Sequence, residues 1–113
     1  DPLAGLPENA SLDDKVWALL KCVFDPEIPV NIVDLGLIYA CDISPLADEK
    51  FSILIKMTLT APGCGMGPVI AEDIKQLLMR QDEFSEVEVE MVFDPPWDRS
   101  MMSAAAQLEL GVL

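Results

Sequence analysis

The chain has 113 residues, enough for one domain with a modest core and too few for two. Twenty acidic side chains against seven basic ones leave a net charge of −13, which repels a phosphate backbone and argues against nucleic-acid binding, while a basic partner or a cationic metal complex would be attracted. Histidine is absent, which removes Cys-His and Ser-His catalysis and every histidine-based metal site, and no apolar run approaches the roughly 18 residues of a membrane span.

Residues 1–10 carry two prolines and no periodicity, and are expected to be a flexible lead-in to a single domain over residues 11–113. Ser11 can cap a helix whose apolar stripe is Leu12, Val16, Leu19, Leu20 and Val23. Asp25-Pro26-Glu27-Ile28-Pro29 ends it, because proline cannot continue the ladder and restricts the residue before it. A strand is expected over residues 32–43, with Val33, Leu35, Leu37, Tyr39, Cys41 and Ile43 on its apolar side. Residues 44–50 form a turn, so that a second strand from Phe51 to Leu59 pairs antiparallel with the first.

A helix follows over residues 66–81, with Ile70, Ile74, Leu77 and Leu78 at helical spacing, Pro68 in its first turn and Gly67 as a tolerable cap. In the third strand Val87, Val89, Met91 and Phe93 alternate with glutamates, and Asp94-Pro95-Pro96-Trp97 breaks it. Asp98 or Ser100 caps a last helix through Met101, Met102, Ala105 and Leu108, and Gly111 terminates it. The order is α-β-β-α-β-α. It predicts an α+β fold, a small two-layer sandwich with a mixed sheet of about three strands and helices mainly on one face.

Cys22, Cys41 and Cys64 form no C-x-x-C pair and no zinc spacing, and so sparse a set suits a reducing, cytoplasmic compartment. Cys41 falls on the apolar side of its strand, Cys22 flanks the first helix's stripe in a semi-buried position, and Met101 and Met102 suit core filling. Trp97 is expected to plug a gap between the sheet and the last helix. Cys64 differs. It lies in the glycine-rich turn Thr60-Ala61-Pro62-Gly63-Cys64-Gly65-Met66-Gly67-Pro68, just ahead of a helix N-terminus whose free N–H groups and positive dipole end favour an anion. It either fills a tight turn as a small residue or is a thiol made acidic, and so reactive, by its position.

Asp25, Glu27 and Asp34 lie in or beside the proline-bounded loop. Asp34 either accepts backbone N–H groups of that loop or faces the same pocket as Cys64. Thr60 runs in phase with Lys56 and Thr58, which turns its hydroxyl off the core face and toward the Cys64 turn.

Three segments together resemble a known family. Asp25-Pro26-Glu27-Ile28-Pro29-Val30-Asn31-Ile32-Val33-Asp34-Leu35-Gly36-Leu37-Ile38-Tyr39 resembles the opening motif of the SufT-like domain family, which includes the cytosolic iron–sulfur targeting factor of eukaryotes and the PaaD-type oxygenase maturation proteins. Thr60-Ala61-Pro62-Gly63-Cys64 is similar to its cysteine motif, and Asp94-Pro95-Pro96-Trp97, with Met101-Met102-Ser103 and Leu110-Gly111, to its C-terminal motif. Cys64-Gly65-Met66-Gly67 is most like the SufT branch, since much of the wider family has proline after the cysteine. The resemblance implies an accessory role in iron–sulfur cluster assembly or delivery, with the assembly machinery and client apoproteins as partners. It carries over Cys64 as the reactive cysteine and Asp25, Glu27, Asp34 and Thr60 as motif positions.

Two functions fit these residues. One is a maturation factor in which Cys64 offers a thiolate to the iron of a transient cluster. The alternative is an enzyme with Cys64 as nucleophile toward a small thioester or amide and Glu27 or Asp34 moving protons, although carboxylates are weak bases at neutral pH. A third, weaker option places a hard cation such as Mg²⁺ among Asp25, Glu27 and Asp34. With three cysteines and no histidine, one chain lacks the four ligands of a conventional cluster, so a cluster would be shared in a homodimer, completed by a small thiol, or held briefly.

Overall fold

A computed structural model describes residues 3–25, 28–60, 65 and 67–111. Helix α1 (Leu12–Leu20) begins at a reciprocal capping box: the Ser11 hydroxyl accepts from the Asp14 amide at 3.0 Å, and the Asp14 carboxylate accepts from the Ser11 amide at 3.4 Å. Val16, Leu19 and Leu20 form its buried stripe. The helix stops at Leu20, so Val23 reaches the core from the turn beyond it.

Strands β1 (Ile38–Pro45) and β2 (Phe51–Met57) pair antiparallel. Their connection runs through Asp48 and Glu49, both at φ 60°, with the Lys50 amide donating to the Ala47 carbonyl; these are the features of a two-residue primed hairpin turn that suits the twist of the strands. Helix α2 (Gly67–Met79) then crosses over to β3 (Phe84–Met91), which lies parallel to β2 and gives a mixed sheet of order β1-β2-β3. Ile53, Ile55 and Met57 alternate into the core, where Ile70, Ile74 and Leu78 of α2 and the α1 stripe meet them. α1 packs on β1 and on α2, and α2 on β3, so both cover one face of the sheet. Ser52, Lys56, Glu86, Glu88 and Glu90 point to the other face, the α+β arrangement expected.

β2 stops at Met57, short of the expected Leu59, β3 at Met91, short of Phe93, and two boundaries depart further. The first strand begins at Ile38, and residues 32–36 are turns, with Gly36 at φ 80°. Ile32, Leu35 and Leu37 are buried there, so the apolar content that imitated a strand belongs to a tight loop folded onto the core. The last helix is divided. A 3₁₀ turn at Arg99–Met101, capped by Asp98, precedes α3 (Ala104–Glu109), which Ser103 caps through a hydrogen bond from the Ala106 amide. Gly111, at φ 73°, ends α3 as expected, its amide donating to the Leu108 carbonyl.

Candidate functional site

The sheet has one end where the loop before β1, the end of β2 with Thr60 after it, and the C-terminal motif meet. Ile38 begins β1 there, paired with Met57 at the end of β2, which in turn pairs with Met91 at the end of β3. The N-terminus of α2 is at the same end: a Cβ on Gly67 would stand 3.1 Å from a Leu59 methyl and 3.5 Å from the Met91 methyl. Its first turn carries no acidic side chain to offset the positive end of its dipole.

The loop before β1 is folded around Asn31. Its Oδ1 accepts from the amides of Val33 at 3.0 Å and Asp34 at 2.9 Å, while its Nδ2 donates to Asp34 Oδ2 at 2.7 Å. Asp25 serves the same loop, accepting from the Ile28 amide at 3.1 Å and donating its own amide to the Val30 carbonyl at 3.3 Å. The organising acceptor of backbone N–H groups is therefore Asn31, and the Asp34 carboxylate orients the Asn31 side chain. Asn31→Ala, which orphans two backbone donors, is expected to cost about 1–3 kcal/mol, and Asp34→Ala less than about 1.5 kcal/mol. Urea denaturation of both variants checks the order, and a larger loss in Asp34→Ala would move the anchor to the carboxylate.

The C-terminal motif holds this loop from the other side. The Trp97 indole N–H donates to the Leu35 carbonyl at 2.7 Å, and the Ser103 amide to the Asp34 carbonyl at 2.8 Å. Tyr39 stands at the irregularity between Ile38 and Ala40 in the β1–β2 register, and its hydroxyl donates to the Pro95 carbonyl at 2.8 Å. Trp97 thus ties to the loop through its indole N–H and lies beside Leu110 at the end of α3. With Ile28, Arg99, Met102 and Leu110 it lines a largely apolar hollow of about 340 Å³. Hydrogen bonds from the Ser100 hydroxyl and amide hold the neighbouring Asp98 carboxyl below its usual range.

Asp25 and Asp34 are half-buried in this one loop, and Thr60 is half-buried at the same sheet end, where the Thr58 amide donates to the Leu37 carbonyl at 2.8 Å. The phase expected of Thr60 is not kept, because Met57, Thr58 and Leu59 are all buried once β2 has ended. Glu27 and Cys64 lie outside the described residues. Among the described residues, no group of three acidic or cysteine side chains is placed to hold a metal ion.

Cys22 and Cys41 contrast. Cys22 is exposed at the end of α1, not semi-buried, because the helix has stopped and its side chain clears the stripe. Cys41 is half-buried, and burial, with Asp13 and Asp42 nearby, pushes its thiol up to about 11. Cys41 is therefore expected to resist iodoacetamide at pH 8 in the folded protein. Its raised value also sets a sign: the unfolded chain loses this proton first, so the thiol's contribution to stability is intact below about pH 9 and is lost as pH rises toward about 11. Denaturation midpoints of wild type and Cys41→Ser across that window read the difference, and parallel curves would contradict it.

Periodicity places Tyr39 only on the apolar side of a strand, and Asn31 has no role beyond its place in the opening motif. An asparagine three residues before an aspartate and five before a glycine, and a tyrosine whose polar tip requires a partner, are the signals that point to them.

Comparison with known proteins gives the same picture of the whole domain. A family model described as iron–sulfur cluster assembly protein matches residues 13–91. An "Fe-S protein maturation auxiliary factor" of Porphyromonas gingivalis is 41% identical over 94% of this chain and 97% of its own length. The "Fe-S protein maturation auxiliary factor YitW" of Bacillus subtilis is 39% identical over 90% of this chain and 96% of its own. A crystal structure of a domain of unknown function, DUF59, from Bacillus anthracis superposes with a TM-score of 0.74 at 39% identity, covering 88% of this chain and 91% of that one.

Proposed function

The chain belongs to the iron–sulfur cluster assembly protein family, and on that footing we propose that it is an auxiliary factor in the maturation of iron–sulfur proteins, a binding module and not an enzyme. The observation that carries this is the meeting of the loop around Asn31, the end of β2 and the Pro95–Ser103 segment at the sheet end where α2 begins. Cys64 precedes Gly67 by three residues, and the N-terminus of α2 favours its thiolate.

The cluster is cargo. Cys41 is held as a neutral thiol by its surroundings, and of Cys22 and Cys64 it is Cys64, just ahead of α2 in sequence, that the helix end favours as the thiolate offered to iron; one chain does not complete four ligands. A cluster passes over this site on its way to a client, or is shared with a second thiol donor. Asp25, Glu27, Asp34 and Thr60 shape the wall that cargo or client meets, and assembly machinery and client apoproteins are the partners. Depletion in the native cell tests the role. The activities of iron–sulfur enzymes should fall at constant enzyme abundance and recover with the wild-type chain. Unchanged activities, together with turnover of a small thioester or amide by the purified protein, would overturn the proposal in favour of a cysteine-nucleophile enzyme.

A further inference from the structure

We propose that the free edge of β3 is a docking site at which an extended segment of a partner protein, alternating basic and apolar residues, adds to the sheet as another strand. This surface lies along the α2 edge of the sheet and does not depend on the chemistry proposed for Cys64. β3 pairs with β2 on one side only, and among the described residues no strand lies beyond it. The Val92 amide donates inward to the Met57 carbonyl, so by the alternation of a strand Glu88 and Glu90 turn their backbone groups toward β2, while Val87, Val89 and Met91 turn theirs to the open edge.

α2 runs beside that edge. Two hollows of about 640 and 200 Å³ lie against it and share Lys75, Val87 and Glu88. Pro68, Ala71 and Glu72 line the smaller and the exposed Met79 the larger, with Lys75 in both, so a strand laid there meets Pro68, Ala71 and Met79 as apolar contacts beside Glu72 and Lys75 on its helix-facing side. On the opposite face stand Glu86, Glu88 and Glu90, joined across the sheet by Asp42; among the described residues Lys56 shares that face and Lys75 lines the same hollow as Asp42, Glu86 and Glu88, which leaves the surface net acidic. That face selects lysine or arginine at every second position of the incoming segment. A second copy of this chain is a poor occupant, because its β3 would bring its own glutamates against these.

The test uses the whole chain, ¹⁵N-labelled, and two designed heptapeptides, acetyl-Lys-Val-Lys-Val-Lys-Val-Lys-amide and its glutamate counterpart. The lysine peptide should bind at least tenfold more tightly than the glutamate peptide and slow amide exchange at Val87, Val89 and Met91. Val89→Pro removes an outward N–H without breaking the ladder to β2, and should weaken the lysine peptide at least tenfold. Glu86→Lys/Glu88→Lys, should the proline variant fail to fold, should reverse the preference between the two peptides. Protection elsewhere, equal binding by these variants, or no binding at millimolar peptide would overturn the proposal. Concentration-dependent protection of the same amides without peptide would overturn it in favour of a second copy as occupant.

Discussion

Gly36→Ala is expected to lower stability by about 2–5 kcal/mol, a large share of the roughly 5–15 kcal/mol that holds a domain together. Two costs combine. Gly36 sits at φ 80°, where a side chain strains the backbone, and a Cβ there would lie 2.8 Å from the Met101 carbonyl carbon and closer still to its oxygen. That neighbour is main chain and cannot rotate aside, so the Arg99–Met101 turn must move away from the loop. Urea denaturation should show a midpoint well below wild type. Gly5→Ala, where nothing lies within 4 Å, should leave it unchanged and serves as the control. A wild-type midpoint in Gly36→Ala would mean that the C-terminal motif does not press on the loop.

The largest functional loss is expected from Cys64→Ser, at least tenfold in maturation of client enzymes, with the anaerobically reconstituted cluster lost altogether. Serine keeps the size and removes the soft sulfur ligand that the proposed role requires. Limited alkylation with iodoacetamide at neutral pH should label Cys64 first. Exposed Cys22 is the meaningful rival, and Cys41, with its thiol near 11, should be last. Cys22→Ser should keep full activity. Faster labelling of Cys22 than of Cys64, or a cluster retained in Cys64→Ser, would refute this account of the cysteine.

The fold was legible wherever one local signal acted alone. Ser11 ahead of a clean stripe marked α1, alternation in residues 51–57 marked β2, and Gly111 marked the end of α3. Period failed where burial came from a loop instead of a strand. Val33, Leu35 and Leu37 alternate like a β-strand, yet Asn31 captures two amides and Gly36 turns the chain, and local side chain–backbone bonds of this kind defeat a ladder. The candidate site was half legible. The loop acids and the cysteine turn could be named, but the anchoring of the Asn31 loop depends on Trp97, Tyr39 and Ser103 reaching residues up to 69 positions away, which no short window contains.

Those long-range ties impose an order in time. The chain leaves the ribosome from its N-terminus, and α1, the β1–β2 hairpin and α2 can all emerge before the residues that clamp the Asn31 loop have been translated. Until the Pro95–Ser103 segment is free, Leu35 lacks the Trp97 indole, Asp34 lacks the Ser103 amide, and Tyr39 has no carbonyl to bind. A nascent chain can therefore be largely folded and still lack its working end. Stalled nascent chains ending before residue 95 should show a protease-sensitive bond within residues 28–37, and extension past residue 103 should protect it.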